Sequence, residues 1–207
     1  MGGKTRRMPR RRMLGLLAAA APAVLLASRA GAQDKAAPMD AIAAIKTRRS
    51  VRTYTDAPVS DALVEEVLRC GMQAPSACNE QPWQFVVVRD KATLAKVGGI
   101  NPYAAYAKNA PVAILVAGDL GLDKCGGYWI EDTSACAENM LLAAHALGLG
   151  AVWTGIYPLP ERVEAFRALF GMPENVTPMA LLVMGYPAEH PAPQDRFRPE
   201  RIHCEKW

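Results

Sequence analysis

Three arginines fall within five residues, Arg48, Arg49 and Arg52, with Ser50 between them. Guanidinium groups this close repel one another unless an anion lies among them, and their paired N–H donors match the oxygens of a phosphate. A solvated basic surface loop would have the same composition and, on these residues alone, is the simpler interpretation. The cluster is therefore a candidate phosphate site that needs support from elsewhere in the chain.

A second group of candidate binding residues lies in the stretch PSACNEQPW, residues 75–83. Two prolines stiffen its backbone, and the side chains between them are small or carry amides, with Glu80 as the single charge. Such a loop suits a neutral, flat ligand with polar edges. A plain turn between a helix and a strand is the alternative, because Pro, Ser and Asn are common in loops.

Both stretches resemble the nitroreductase family of FMN-dependent oxidoreductases. Residues 75–83 match the family's Pro-Ser-small-x-Asn-x-Gln-Pro-Trp segment at the flavin, and RRSVRTY, residues 48–54, matches its upstream phosphate-binding segment. Further similarity in residues 129–155 and 195–207 extends the resemblance over about residues 39–207. The resemblance implies FMN as the cofactor, chemistry centred on the flavin without a catalytic side chain, and no metal.

The resemblance also assigns residues to the flavin, which in this family lies in a homodimer interface. The 75–83 loop would come from the subunit opposite the arginines. Glycine at position 155 would let the backbone approach the reactive ring closely. The implied cofactor-binding residues are Arg48, Arg49, Ser50 and Arg52 at the phosphate and ribityl chain, Pro75, Ser76, Ala77 and Asn79 in the loop, Thr154 and Gly155 at the ring, and Arg196 and Arg198 in a tail that reaches back to the phosphate.

Hydrophobic periodicity predicts the elements that would position these residues. Buried strands are predicted at residues 83–89, 112–117, 151–156 and 179–184. Helices are predicted at residues 39–46, 91–97, 129–147 and 161–170, and between a Ser60 cap and Pro75. Loop is predicted at 98–102, a mobile lid at the glycine-rich 118–127, and an extended arm at the proline-rich 186–207. With the resemblance, these elements give an α/β (α+β) fold, a three-layer sandwich whose central, mostly antiparallel sheet is flanked by helices.

The predicted helix 129–147 is apolar on more than one face and should be buried nearly all round. A central core helix would explain this pattern, and so would the dimer helix that the resemblance implies. His145, on this helix, is interpreted as a core or interface histidine whose hydrogen bonds are satisfied.

Composition excludes several classes of protein. Of 24 basic residues, seven lie before residue 33, so the remaining chain carries 17 basic and 20 acidic residues. This balance does not resemble that of a nucleic-acid-binding domain. Neither G-x-G-x-x-G nor G-x-x-x-x-G-K occurs, so a dinucleotide-binding or P-loop fold is not indicated. The five cysteines show no C-x-x-C or metal-ligand spacing and are interpreted mostly as small buried residues, with a Cys125–Cys136 disulfide as one option.

The first 32 residues have the layout of an export signal, which leaves residues 33–207 as the FMN-binding domain. An arginine-rich start precedes a short apolar stretch, residues 13–27, and Ala30-Gly31-Ala32 is an A-x-A cleavage pattern. The run from Arg10 to Leu14 resembles a twin-arginine signal, which predicts export to the bacterial periplasm. The alternatives are an ordinary secretion signal and an uncleaved signal that anchors the protein to a membrane.

The expected activity is transfer of electrons from a reduced donor, usually NAD(P)H in this family, to an electron-poor acceptor such as a nitroaromatic, quinone or enone. An exported enzyme would not meet NAD(P)H, which is cytosolic. Two alternatives therefore stay open. One is an exported flavin-binding electron carrier with a protein donor, and the other is a flavin-dependent dehalogenase or oxygen-using enzyme on the same fold.

Overall fold

The structure, a computed structural model, describes residues 39–207, so the predicted export signal lies outside the described residues. Within that range the fold is built on one four-stranded sheet with the order β1-β2-β4-β3 and every neighbouring pair antiparallel. The strands are β1 Trp83–Val88, β2 Val112–Asp119, β3 Gly150–Gly155 and β4 Val176–Gly185. All four predicted strands are present, and the predicted antiparallel sheet is confirmed.

Five α-helices lie within the described residues: α1 Ala41–Thr47, α2 Asp61–Gly71, α3 Lys91–Ile100, α4 Trp129–Ala146 and α5 Pro160–Phe170. Side-chain oxygens of Ser60 and Asp90 accept the N–H groups of Leu63 and Thr93, and these caps fix where α2 and α3 begin. No helix in residues 39–207 is both long and apolar enough to cross a membrane.

Apolar side chains cover both faces of the sheet, and β4 contributes to both. Ala180, Leu182 and Met184 join the cluster formed with α2 and α4, whereas Leu181 and Val183 join the cluster formed with α3 and α5. This alternation follows from the two-residue period of a strand. The predicted three-layer sandwich is confirmed.

Helix α3 continues through Gly98, Gly99 and Ile100, which the sequence predicts as loop. A side chain at Gly98 would place its Cβ 3.1 Å from the Cα of Ala105, in the 3₁₀ segment Pro102–Asn109. The missing side chain thus allows the helix to pack closely against the segment that follows it. That packing outweighs the low helix propensity of two glycines.

Helix α4 lies against the sheet, and every residue of it except Glu131 is buried or half-buried. The prediction of a helix enclosed on most sides is therefore confirmed. Its contact with α2 is tight, because a Cβ built at Gly71 would lie 2.5 Å from Cγ of Met140.

The cysteine predictions are wrong both in burial and in pairing. Of the five cysteines only Cys136 is buried, whereas Cys70 and Cys125 are half-buried and Cys78 and Cys204 are exposed. Cys125 forms a disulfide with Cys78 and not with Cys136, which is fully buried in α4 within the core. Cys78 lies in the 75–83 loop, so the cross-link joins two loops that are 47 residues apart in sequence. Periodicity places Cys136 on a buried helix face but carries no information about which loops meet.

The segment predicted as a mobile lid begins inside β2 and is attached to the 75–83 loop. In addition to the disulfide, the Lys124 N–H donates to Oε1 of Glu80 over 2.8 Å. The segment is therefore a cross-linked loop and not a free flap.

The C-terminal arm, residues 186–207, is extended, as predicted, and it is largely exposed. It starts along the strand-like segment after the arginines, with the Thr55 N–H bonded to the Tyr186 carbonyl and the Ala188 N–H bonded to the Thr53 carbonyl. Farther along, Phe197 is 64% exposed and Trp207 is fully exposed, so the apolar side chains of the arm contact little of their own chain.

Candidate functional site

Strand β3 connects two of the predicted parts of the site. Ser50 forms a parallel bridge with Ala151, and the Val51 N–H donates to the Ala151 carbonyl over 3.0 Å. From there β3 runs four residues to Gly155, about 13 Å at the rise of an extended strand. The arginine segment therefore lies at one end of β3, and Thr154 and Gly155 lie at the other.

Arg48 is held by helix α4. Its Nε is 3.2 Å from Oε1 of Glu138, and in the preceding turn the Thr47 hydroxyl lies 2.8 Å from Nε2 of His145. Burial, together with the positive charges of Arg48 and Arg49, lowers the pKa of His145. His145 is thus a hydrogen-bonded, half-buried residue of this contact, as the sequence indicates.

Arg49 binds the C-terminal arm. Its guanidinium donates to the carbonyls of Ala192 and Gln194 over 3.2 and 3.1 Å. Arg196 Nη2 lies 3.5 Å from Oε1 of the same Gln194, and Arg198 donates to the carbonyl of the residue before it. The structure therefore brings the arm beside the arginine segment, with Arg196 linked to Arg49 through Gln194.

The Arg52 side chain forms no ion pair with the described residues and lines an open pocket of about 640 Å³. Lys91 and Lys108 line the same pocket, with Asp56 as the acid, so its charge favours an anion. The backbone N–H of Arg52 is already used, because it donates to Oε1 of Glu189 over 2.7 Å. The guanidinium is therefore the group of this residue that is available to a phosphate.

At the far end of β3, hydrogen bonds fix the backbone. The Gly155 carbonyl accepts from Asn101 Nδ2 at 3.2 Å and from Arg162 Nη1 at 3.3 Å, and the Thr154 hydroxyl lies 2.7 Å from that of Tyr106. A side chain at Gly155 would meet no atom of the described residues within 4 Å, so the space beside it is open. A flat ring could approach the backbone here.

The 75–83 loop has an unusual backbone. Cys78, Asn79 and Gln81 have φ values of 50°, 57° and 53°, in the left-handed region that residues other than glycine rarely adopt. Ser76 Oγ accepts the Gln81 N–H at 3.0 Å, and Asn79 Oδ1 accepts from the Gln81 side-chain amide at 2.9 Å. Pro75 and Asn79 are exposed, so the loop presents a polar, solvent-facing edge.

Asp132 of α4 holds this loop by a hydrogen bond to its backbone. Its Oδ1 accepts the Ala77 N–H at 2.9 Å, its Oδ2 has no partner among the described residues, and burial raises its pKa. Arg48 contacts the same helix at Glu138, six residues later, where the side chain leaves the axis in a direction about 120° from that of Asp132. Within one chain, the loop and the arginine segment therefore contact α4 at two separate places.

Four residues of this region are not predicted from the sequence: Asn101, Tyr106, Asp132 and Arg162. Asp132 carries a signal, since a carboxylate in a mostly apolar helix needs a partner. Asn101 stands between a helix and Pro102, where a cap is expected, but nothing indicates that its side chain reaches Gly155. Tyr106 and Arg162 look like ordinary surface residues in the sequence.

The residues around β3 fit a flavin that carries a ribityl phosphate. Cationic and hydroxyl side chains lie at one end of the strand, and open space beside a hydrogen-bonded glycine lies at the other. Within residues 39–207, no group of three His, Cys, Asp or Glu side chains is arranged to hold a metal ion.

Comparison with known proteins agrees with this geometry. The model of the nitroreductase family matches residues 45–110 and 101–186. A Methanothermobacter thermautotrophicus protein named NADH dehydrogenase/NAD(P)H nitroreductase is 51% identical over 173 residues, which cover 84% of this chain and 91% of that protein.

Two solved structures share the fold and a substantial part of the sequence. One, named as an NADH oxidase of Clostridium acetobutylicum, has 41% identity and a TM-score of 0.77 and covers 79% of this chain and 99% of its own. The other, named as a nitroreductase of Desulfovibrio desulfuricans and solved in complex with FMN, has 34% identity and a TM-score of 0.71 and covers 81% and 97%.

Fold and site together define a flavin-dependent oxidoreductase. The chain belongs to the nitroreductase family, and its cofactor is FMN. The family, the enzyme class and the cofactor expected from the sequence are confirmed.

Proposed function

We propose that this protein takes reducing equivalents from NAD(P)H and passes them to a small electron-poor acceptor such as a nitroaromatic, quinone or enone. The names of its relatives, which include NAD(P)H nitroreductases and NAD(P)H-dependent FMN reductases, support NAD(P)H as the donor. When bound, FMN supplies the redox chemistry by accepting a hydride and passing electrons on.

The side chains of the protein bind and orient the cofactor in this proposal. Arg48, Ser50 and Arg52 hold the phosphate and ribityl end, with the arm arginines Arg196 and Arg198 completing the cationic side. The single observation that carries the assignment is the pairing of the arginine segment with the start of β3. That pairing supports the proposal, because it puts the arginine segment beside one end of β3 while the open backbone of Gly155 lies at the other end.

We also propose that the active form is a homodimer. In one chain the 75–83 loop, with Pro75, Ser76, Ala77 and Asn79, is held at Asp132 and the arginine segment at Glu138, and in the dimer the loop of the second copy would complete the flavin site. The exposed apolar side chains of the arm support an additional surface of contact. Light scattering at micromolar concentration should give the mass of two chains, and a flavin-bound monomer would contradict this division of residues.

Export is a separate proposal, which rests on residues 1–32. If the mature protein is periplasmic, a protein donor would have to replace NAD(P)H, and the electron-carrier alternative becomes the second candidate function. Three observations favour export: the arginine-rich start, the short apolar stretch and the A-x-A pattern.

Purification followed by turnover tests the proposal. The protein should be yellow without added flavin, should release FMN on denaturation, and should oxidise NADPH or NADH when a nitroaromatic or a quinone is present. A yellow protein that neither dinucleotide reduces would support the electron carrier. A colourless protein that does not bind added FMN would overturn the assignment of the site.

A further inference from the structure

The backbone of the 75–83 loop is unfavourable by itself. Three residues other than glycine, Cys78, Asn79 and Gln81, adopt left-handed conformations within four positions. Such a backbone persists only where the surrounding structure imposes it, and it is concentrated at functional sites. The loop must therefore be held by contacts outside itself.

Helix α4 and the loop after β2 both hold it, and the loop after β2 does so partly through the Lys124 N–H, which donates to Oε1 of Glu80. Helix α4 provides the carboxylate of Asp132, which is 5% exposed and accepts the Ala77 N–H at 2.9 Å. The loop after β2 provides Cys125, whose disulfide joins Cys78 with the two Cα atoms 6.5 Å apart. The Asp132 hydrogen bond and the disulfide act on two consecutive loop residues, where the left-handed stretch begins.

The loop after β2 is itself anchored, so it can serve as a fixed attachment point. Asp119 Oδ1 accepts the Gly121 N–H at 2.9 Å and the Asn175 side-chain amide at 2.7 Å. Asp123 Oδ2 accepts the Gly127 N–H at 2.9 Å. The bond to Asn175 ties the start of the loop to the segment before β4, and the Asp123 bond closes the turn that contains Cys125.

We infer that the Cys78–Cys125 disulfide and Asp132 are positioning elements of the flavin site, and that FMN affinity depends on the oxidation state of the disulfide. This inference rests on the proposed role of Pro75, Ser76, Ala77 and Asn79 in binding the flavin. Neither the cysteines nor Asp132 contacts the cofactor in this scheme. They act through the backbone of the loop that does.

The redox step is a thiol–disulfide exchange. Oxidation of the two thiols transfers two electrons and two protons to an oxidised disulfide such as glutathione disulfide, which leaves as two thiols. Reduction by a dithiol such as dithiothreitol reverses the reaction, and the reagent becomes a cyclic disulfide. In an oxidising compartment the cross-linked state is the stable one.

The test compares the wild type with Cys78→Ser/Cys125→Ser, with Cys204→Ser as the control for an exposed cysteine outside the loop. FMN is removed and titrated back by fluorescence quenching, and the circular dichroism of the bound flavin is recorded. Loss of the cross-link should raise the Kd for FMN about tenfold, the factor expected if the free loop adopts the binding-competent backbone about a tenth of the time. Cys204→Ser should bind FMN like the wild type.

Two further arms separate positioning from a general loss of structure. Wild type reduced with dithiothreitol should behave like the double variant, and reoxidation with glutathione disulfide should restore its affinity and flavin spectrum. Asp132→Ala should weaken FMN binding, whereas Asp132→Asn, which keeps an oxygen for the Ala77 N–H, should bind nearly normally.

An unchanged Kd and flavin spectrum after reduction, or in the double variant, would overturn the inference while leaving the proposed function intact. Failure of the oxidised wild type to bind FMN would instead overturn the proposed function, and this inference with it. If the double variant does not fold, reversible reduction of the wild type decides the question.

Discussion

Arg52 is the residue whose chemistry is most directly open to an anion, because its side chain has no ion pair among the described residues. A charge-assisted hydrogen bond contributes about 1.5 to 3 kcal/mol, so Arg52→Ala should weaken FMN affinity roughly tenfold or more. Riboflavin, which lacks the phosphate, should bind the variant and the wild type about equally. Both dissociation constants can be measured by flavin fluorescence.

Arg69→Ala is the matched control for Arg52→Ala. Arg69 pairs with Glu65 on the exposed face of α2 and has no assigned role. Equal loss of FMN affinity in both variants would point to a change in overall charge, and no loss at Arg52→Ala would show that the phosphate lies elsewhere.

Asp132 predicts a dependence of stability on pH. Burial raises the pKa of its carboxyl above the ordinary value, so the folded protein prefers the protonated form. The contribution of the Asp132 carboxyl to stability is therefore greatest when the pH lies below its pKa in both states. This contribution is lost as the pH rises through the pKa of the unfolded state and then that of the folded state. Asp132→Asn should remove this loss, because the amide does not ionise.

Denaturant unfolding between about pH 3.5 and about pH 7, a range that spans the titration of a carboxyl group, checks this prediction. The stability of Asp132→Asn relative to the wild type should increase as the pH rises. Glu66→Gln, at an exposed position of α2, is the control. A relative stability that does not change with pH would mean that Asp132 is not perturbed by burial.

Two helical glycines should respond in opposite ways to replacement by alanine. A Cβ at Gly71, the last residue of α2, would lie 2.5 Å from the buried Met140, whereas a Cβ at Gly99 in α3 would meet no atom of the described residues within 4 Å. Gly71→Ala should destabilise the protein by about 1 to 3 kcal/mol through overpacking. Gly99→Ala should stabilise it by roughly 0.5 to 1 kcal/mol, because alanine loses less backbone freedom in a helix. Urea unfolding of the two variants measures both effects.

The elements themselves could be predicted from sequence because each has a strong local pattern. The strands are short β-branched and apolar runs, and Ser60 and Asp90 mark helix starts. The predictions that were wrong concern features that depend on contacts between distant segments. The extension of α3 follows from the closeness of Gly98 to Ala105, and the Cys78–Cys125 pairing depends on which two loops meet.

The candidate site was predictable only where it repeats a family motif. The arginine segment and the 75–83 loop carry such motifs, and the order of their residues alone is enough to locate them. Asn101 and Tyr106, which bond the end of β3, are invisible to that approach because their partners are the Gly155 carbonyl and the Thr154 hydroxyl, more than forty residues away. A side chain that acts through a backbone carbonyl leaves no pattern in the sequence.

For the whole molecule, the proposed export signal and the FMN cofactor together predict export in the folded state. If FMN is loaded in the cytosol, threading an unfolded chain outward would strip it. Replacing Arg10, Arg11 and Arg12 with lysine keeps the charge but removes the guanidinium pair that a twin-arginine receptor reads. The precursor should then accumulate inside the cell with FMN bound, as fractionation and the flavin spectrum would show.

The matched control replaces Arg6 and Arg7 with lysine, which leaves the run from Arg10 to Arg12 intact. That variant should be exported normally. Continued release of a mature protein starting near Gln33 from the triple variant would indicate transport as an unfolded chain, with the flavin acquired outside.

The position of β4 has a consequence for the slowest motions of the chain. All ten residues of Val176–Gly185 are buried, and the strand lies between β2 and β3, so both of its edges are paired. Its amide protons should exchange with solvent only when the whole domain unfolds, whereas those of the arm should exchange through local opening. Native-state hydrogen exchange should therefore report the global free energy of unfolding at Leu181 and Leu182, and a lower opening free energy at Phe197 and Ile202.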